Sequence, residues 1–168
     1  MTARSVVLVE GESDRVALVA LAGRMGLDVS DVSIVAMGGA TSIVHFADRY
    51  GPDVRVLGLC DEREARAFRR AGVATFFVCR ADLEDELIRA LGVDGVVHVI
   101  EAAGDGPSWR RMRAQPAQRD RPVDQQLRRF MGTRSGRKER YAGLLVDALD
   151  PDRAPAPLVD VLHAATAS

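Results

Sequence analysis

The chain has 168 residues, 47% apolar and 28% charged, a balance that fits one globular domain with a real core and excludes a disordered or fibrous polymer. No apolar run reaches the roughly 18 residues of a membrane span, and the N-terminus lacks the basic, apolar, small-residue order of a secretory leader. The net charge of −1 conceals an asymmetry: residues 1–107 carry 11 Arg against 17 Asp and Glu, while residues 108–140 carry ten Arg and one Lys against Asp120, Asp124 and Glu139. An acidic body with a basic arm suits a site that holds cations beside a polyanion, although a basic stretch is also what a solvated helix face presents.

The first predicted element is the strand Val6-Val7-Leu8-Val9, apolar throughout and mostly β-branched, as buried parallel strands are. It stops at Glu10-Gly11, and a helix over 15–25 follows with Ser13 as a plausible cap and Gly26 as its end. A second strand over 32–36 runs into Gly38-Gly39, which permits either a tight turn or a close backbone approach. A helix over 42–49 and the turn Gly51-Pro52-Asp53 lead to a third strand, 54–60, ending in Asp61-Glu62-Arg63-Glu64. A helix over 62–71 closes at Gly72. A fourth strand, 73–78, leads to the acidic run Asp82-Leu83-Glu84-Asp85-Glu86, which opens a helix ending at Gly92. Residues 96–103 fit either a short helix or a strand, and 104–122, with two prolines, reads as irregular. Helices are expected over 123–131, 137–149 and 158–165, with a turn at 132–136.

Four β-α units without a hairpin signature predict an α/β fold with a mostly parallel sheet of about four strands flanked by helices. We expect a single domain, its core over about 5–105 and a basic helical extension over about 106–165. Cys60 and Cys79 follow apolar runs and read as buried, reduced thiols of a cytoplasmic protein. His45, His98 and His163 have no ligand spacing. In open α/β sheets ligands sit beyond the carboxyl ends of strands, where Glu10, Asp61 and Asp82 all fall. Acids early in a helix are also favoured by its dipole, which accounts for Asp85 and Glu86 better than for three strand ends.

The ordered set of motifs resembles a TOPRIM domain, the catalytic fold shared by topoisomerases, bacterial primases and several nucleases. Its elements here are a strand ending in Glu-Gly, an Asp four residues later, a second strand ending in Gly-Gly and acids after the third strand. Val9-Glu10-Gly11-Glu12-Ser13-Asp14, Asp82-Leu83-Glu84-Asp85-Glu86-Leu87 and Ser135-Gly136-Arg137-Lys138-Glu139-Arg140-Tyr141-Ala142 are similar to the branch in OLD (overcoming lysogenization defect) nucleases. The resemblance implies divalent-metal phosphodiester chemistry with one or two Mg²⁺ or Mn²⁺ ions. By position it implies metal ligands at Glu10, Asp14, Asp61, Asp82 and Glu84, with Glu64 or Glu62 as the candidate to complete the second motif. Glu10 and Lys138 are then the catalytic candidates, Lys138 offsetting charge at the reacting phosphate. Hard cations take carboxylate oxygens, and two ions about 4 Å apart can stabilise both the attacking and the leaving oxygen.

Two departures stand out. The family's second motif is Asp-x-Asp, and Arg63 occupies the second Asp position. The sequence also has no Gly-x-x-x-x-Gly-Lys-Ser/Thr phosphate loop, whereas typical OLD proteins carry an ATPase domain ahead of the TOPRIM domain. ATP hydrolysis by the chain itself is therefore not expected, and an ATPase partner would be separately encoded. The nucleic acid, DNA or RNA, is expected on Arg110, Arg111, Arg113, Arg134 and Arg137. Other readings of the acids are a phosphoacceptor receiver domain, a TOPRIM-like binding or regulatory module without catalysis, and nucleotidyl transfer.

Overall fold

The apolar, mostly β-branched run after Ser5 favours extended backbone, and the strand it forms, β1 (Ser5–Val9), is buried along its whole length. The computed structural model describes residues 4–39 and 43–167. β1 is flanked by β2 (Val32–Ala36) and β3 (Arg55–Asp61), with β4 (Thr75–Cys79) beyond β3. All neighbours pair in parallel in the order β2-β1-β3-β4. The chain leaves β1 toward β2 and returns to β3 on the other side. The crevice beyond the carboxyl ends of β1 and β3 is therefore the topological switch point, where such sheets bind ligands.

The pleat divides the core in two. Val7, Val9, Leu57 and Leu59 face the larger cluster, formed with α1 (Glu12–Met25), α4 (Leu83–Ala102) and the C-terminal helices. Val6, Leu8 and Cys60 face the smaller one, covered by α2 (Ile43–Ala47) and α3 (Ala65–Arg70). The remaining helices are α5 (Gly106–Arg113), α6 (Val123–Gly132), α7 (Arg137–Ala148) and α8 (Ala156–Thr166). α7 packs against α1 and α4, and α8 lies on β3, β4 and β1, so the extension shares the core of the sheet.

Most expected elements are present, and the differences are local. α1 starts at Glu12 with Gly11 as its cap, so Ser13 is already inside the helix. The expected helix start at Ser42 lies outside the described residues, as do Ala40 and Thr41. Gly92, at φ 75° and ψ 159°, does interrupt the helix that opens after Asp82, but helix resumes at once and runs to Ala102, which makes 96–102 helical. The stretch 104–122 is not irregular: it contains α5 and a 3₁₀ turn at Pro116–Gln118. α5 is held by Trp109 and Met112, three residues apart on one buried face, a pattern masked in sequence by the arginines between and around them.

Gly38 and Gly39 have φ of 73° and 121°, which side-chain-bearing residues rarely adopt. Their N–H groups donate to the Glu10 carbonyl at 2.9 and 3.2 Å, so the paired glycines pin the end of β1. Gly58 meets a different demand. It faces Phe68, and a Cβ there would fall 2.3 Å from the ring. Gly58→Ala should therefore destabilise the fold by ~1–3 kcal/mol, the usual cost of overpacking a core. Thermal denaturation checks this, at roughly 2–4 °C per kcal/mol for a chain of this size. Adding Phe68→Leu should recover part of the loss.

Candidate active site

Val9 pairs with Leu59, which sets Glu10 level with Cys60 and one residue short of Asp61, and both acids line the crevice at the switch point. Asp14 sits one turn into α1, where its carboxylate accepts the Gly11 N–H at 2.9 Å. Asp61 accepts the Glu64 N–H at 2.9 Å, which turns the chain so that both acids face the same way. Asp82 caps α4 by accepting the Asp85 N–H at 2.9 Å, and Glu84 lies buried in the first turn. The neighbouring Glu86 is also buried, but it accepts the Arg80 N–H at 2.8 Å and pairs with Arg89, holding the loop between β4 and α4.

Glu10, Asp14, Asp61, Glu64, Asp82, Glu84 and Lys138 line one cleft of about 220 Å³. At ~30 Å³ per molecule, that is room for several waters. Lys138 comes from the N-terminal turn of α7 and places Nζ 3.3 Å from Glu84 Oε1. Arg128, on α6, pairs with Asp82. As the side chains stand, no three of these acids converge at the spacing of one ion among the described residues. Two of them are instead paired with protein cations.

Crowding and burial act on the carboxyls. Burial, then the Asp61 charge, raises the Glu10 pKa. Burial pushes Asp14 up to about 6 despite its hydrogen bond from Gly11. Burial and then the charges of Glu10, Asp61 and Asp14 push Glu64 up to about 7. Glu64 Oε2 is buried without a hydrogen-bond partner. Carboxylate oxygens with an unmet demand for positive charge are the donor set of a hard divalent cation, so the residues present fit Mg²⁺ or Mn²⁺. Cys60 also borders the cleft, but burial lifts its thiol to about 12, and Cys79 is raised in the same way. Neither is a thiolate at neutral pH.

The expected nucleic-acid residues are not alike. Arg111 and Arg134 are exposed and line a surface cavity with Arg129. Arg110 pairs with Glu101, and Arg113 donates to Gln126 Oε1 at 3.1 Å and lies over the Trp109 ring. Arg137 sits differently from the others. It is 6% exposed, donates to the Phe130 carbonyl and Thr133 Oγ1, stacks 4.1 Å from the Phe130 ring centroid and faces Asp105. Its charge is used inside the protein. Sequence reasoning missed two cleft features. Arg128, which the other arginines of the basic arm hide in sequence, reaches the cleft residue Asp82 from an adjoining cavity, and Ser13, expected as a cap, lines the cleft.

A parallel sheet with acids gathered at its switch point is the arrangement of a TOPRIM domain. Residues 1–51 match the family model described as the overcoming lysogenization defect protein-like TOPRIM domain. The chain is similar in structure to the C-terminal region of the Burkholderia pseudomallei OLD protein, with a TM-score of 0.71 and 18% identity over 98% of each chain. It is likewise similar to the C-terminal region of the Xanthomonas campestris pv. campestris OLD protein, with a TM-score of 0.70 and 19% identity over 98% of this chain and 95% of that one. None of the curated proteins matches the sequence significantly. The chain carries an OLD-like TOPRIM fold, and no helix among the described residues is long and apolar enough to cross a membrane.

The raised carboxyls give a signed pH dependence. A folded-state pKa above the unfolded value favours the protonated fold, and that stability is lost as pH rises through the folded pKa. For Asp14 and Glu64 the loss extends from their ordinary values of 3.8 and 4.5 up to about 6 and about 7. Glu64→Gln should therefore raise the melting temperature of the metal-free protein above pH 7 and change it little near pH 5. An equal effect at both pH values would show that the Glu64 charge carries no cost.

Proposed function

We propose that this chain is a divalent-metal-dependent nuclease that hydrolyses DNA phosphodiester bonds. The supporting observation is that one cleft at the switch point gathers six carboxylates and the only lysine of the chain. Glu10, Asp14, Asp61, Glu64, Asp82 and Glu84 would hold one or two Mg²⁺ or Mn²⁺ ions. Bound there, the metal would supply Lewis-acid polarisation of the phosphate and a water acidic enough to ionise near neutral pH.

The chain's own groups have separate tasks. The Lys138 ammonium is a compact charge that fits where a planar guanidinium would not, and it offsets negative charge developing on the phosphate. Glu84 holds that ammonium at the cleft. Arg128 and Lys138 neutralise Asp82 and Glu84. Arg111 and Arg134 remain exposed for phosphate contact away from the cleft. A second reading, a TOPRIM-like binding or regulatory module without catalysis, is favoured by one observation: an arginine stands at the second acid position of the second motif.

Incubation with plasmid DNA separates the two. Cleavage should require Mg²⁺ or Mn²⁺ and disappear in EDTA, and Glu10→Gln should abolish it. Lys138→Arg should leave DNA binding nearly intact while cutting turnover by ~10²–10³, the scale of losing one electrostatic stabiliser. A wild-type protein that binds both metal and DNA yet cleaves nothing would favour the module. Wild-type turnover in Lys138→Arg would remove the catalytic role of Lys138.

A further inference from the structure

Beside the acid cleft lies a second cavity, lined by Asp61, Glu62, Arg63, Arg80, Ala81, Asp82 and Arg128. It shares Asp61 and Asp82 with the cleft, so the two spaces have a common wall. Three guanidinium-bearing residues surround it, each from a different element: Arg63 from the turn after β3, Arg80 from the loop after β4, and Arg128 from α6. Arg128 is tied to Asp82 through one nitrogen. Arg63 and Arg80 are exposed, and neither guanidinium makes an ion pair among the described residues. The Arg80 backbone is fixed by its hydrogen bond to the buried Glu86, which sets where that side chain starts.

We propose that this cavity is a phosphate subsite, in which Arg63, Arg80 and Arg128 hold a non-reacting phosphodiester of the DNA strand next to the one in the acid cleft. The inference rests on the nuclease reading for the identity of the strand. Arginine presents a planar fork that grips phosphate through paired hydrogen bonds. Asp82 and Glu84 are already taken by Arg128 and Lys138, and Arg63 and Arg80 pair with no carboxylate among the described residues. They give an anionic strand a reason to approach an acidic cleft that would otherwise repel it. The exposed arginines of the basic arm cannot take this role, since the cavity of Arg111, Arg129 and Arg134 shares no residue with the cleft.

The test is DNA binding by fluorescence anisotropy, with a labelled duplex and Ca²⁺ in place of the catalytic ion, across a salt series. The wild type, Arg63→Ala with Arg80→Ala, and Arg153→Ala as an exposed control are compared. The double variant should bind about tenfold or more weakly and flatten the log–log salt slope by about 0.9 per lost phosphate contact. Its metal affinity by calorimetry and its melting temperature should stay at wild-type values, and Arg153→Ala should match the wild type throughout. In cleavage assays the loss should fall on KM, with kcat retained. An unchanged slope in the double variant overturns the subsite, as does a wild type that binds no DNA. Equal losses of metal affinity and stability would overturn it too, by making the arginines structural. If the wild type binds DNA with a slope that depends on Arg63 and Arg80 but cleaves nothing, the subsite stands and the nuclease reading falls.

Discussion

Six carboxylates gathered at one rim of a sheet repel one another, and the fold has to hold them there. Two unit charges 4 Å apart cost about 4 kcal/mol at an effective dielectric of 20, while a hydrogen bond returns a net ~1 kcal/mol. The caps on Asp14, Asp61 and Asp82 therefore orient the acids but do not offset their charge. Arg128 and Lys138 offset two of them, and raised pKa values spare Asp14 and Glu64 part of their charge. What supplies the remaining stability is the sheet below, where β1 is buried along its whole length and paired on both sides.

The two neutralising cations come from the C-terminal helices, and this changes the meaning of the basic arm. Trp109, Phe130 and Tyr141 stack edge to face with centroids 5.4 and 6.1 Å apart, tying α5, α6 and α7 together. Asp105 accepts the Tyr141 hydroxyl at 2.9 Å and Arg140 at 3.0 Å, which fixes the N-terminal half of α7. α7 also packs along α1, with Gly143 facing Val16. Together these contacts set the position of Lys138 at the cleft. Arg113, Arg137 and Arg140 are spent on the scaffold, so the charge of residues 108–140 is only partly an outward-facing surface.

The strand ends were legible because hydrophobic runs of four to seven residues stop at glycines or charged residues, whereas the order β2-β1-β3-β4 was not, since βαβ handedness alone does not choose it. The acids of the cleft were legible for the same reason: a parallel sheet brings every strand's carboxyl end to one rim. The helix α5 was not, since its buried face amounts to Trp109 and Met112 among charged neighbours. Nor was the division of labour among the arginines. Arg128 at the cleft and Arg129 on the outer cavity are adjacent in sequence, and only helix packing decides which faces the sheet. Arg137 and Lys138 show the same contrast, one buried against Phe130 and the other reaching Glu84.

Arg63 is where the resemblance and the structure pull apart, and local geometry accounts for the difference. The Glu64 N–H donates to both the backbone carbonyl and the carboxylate of Asp61, closing a tight turn at the end of β3. In that turn residue 64 comes back beside Asp61 and lines the cleft, whereas Glu62 and Arg63 are carried outward and exposed. A carboxylate at 64 thus joins the acid set by a spacing of three, with the longer glutamate stem covering the distance. Position 63 lies outside that set. A cation there sits on the outer side of Asp61, in the adjoining cavity, where it adds positive charge next to the acids without occupying their ligand positions.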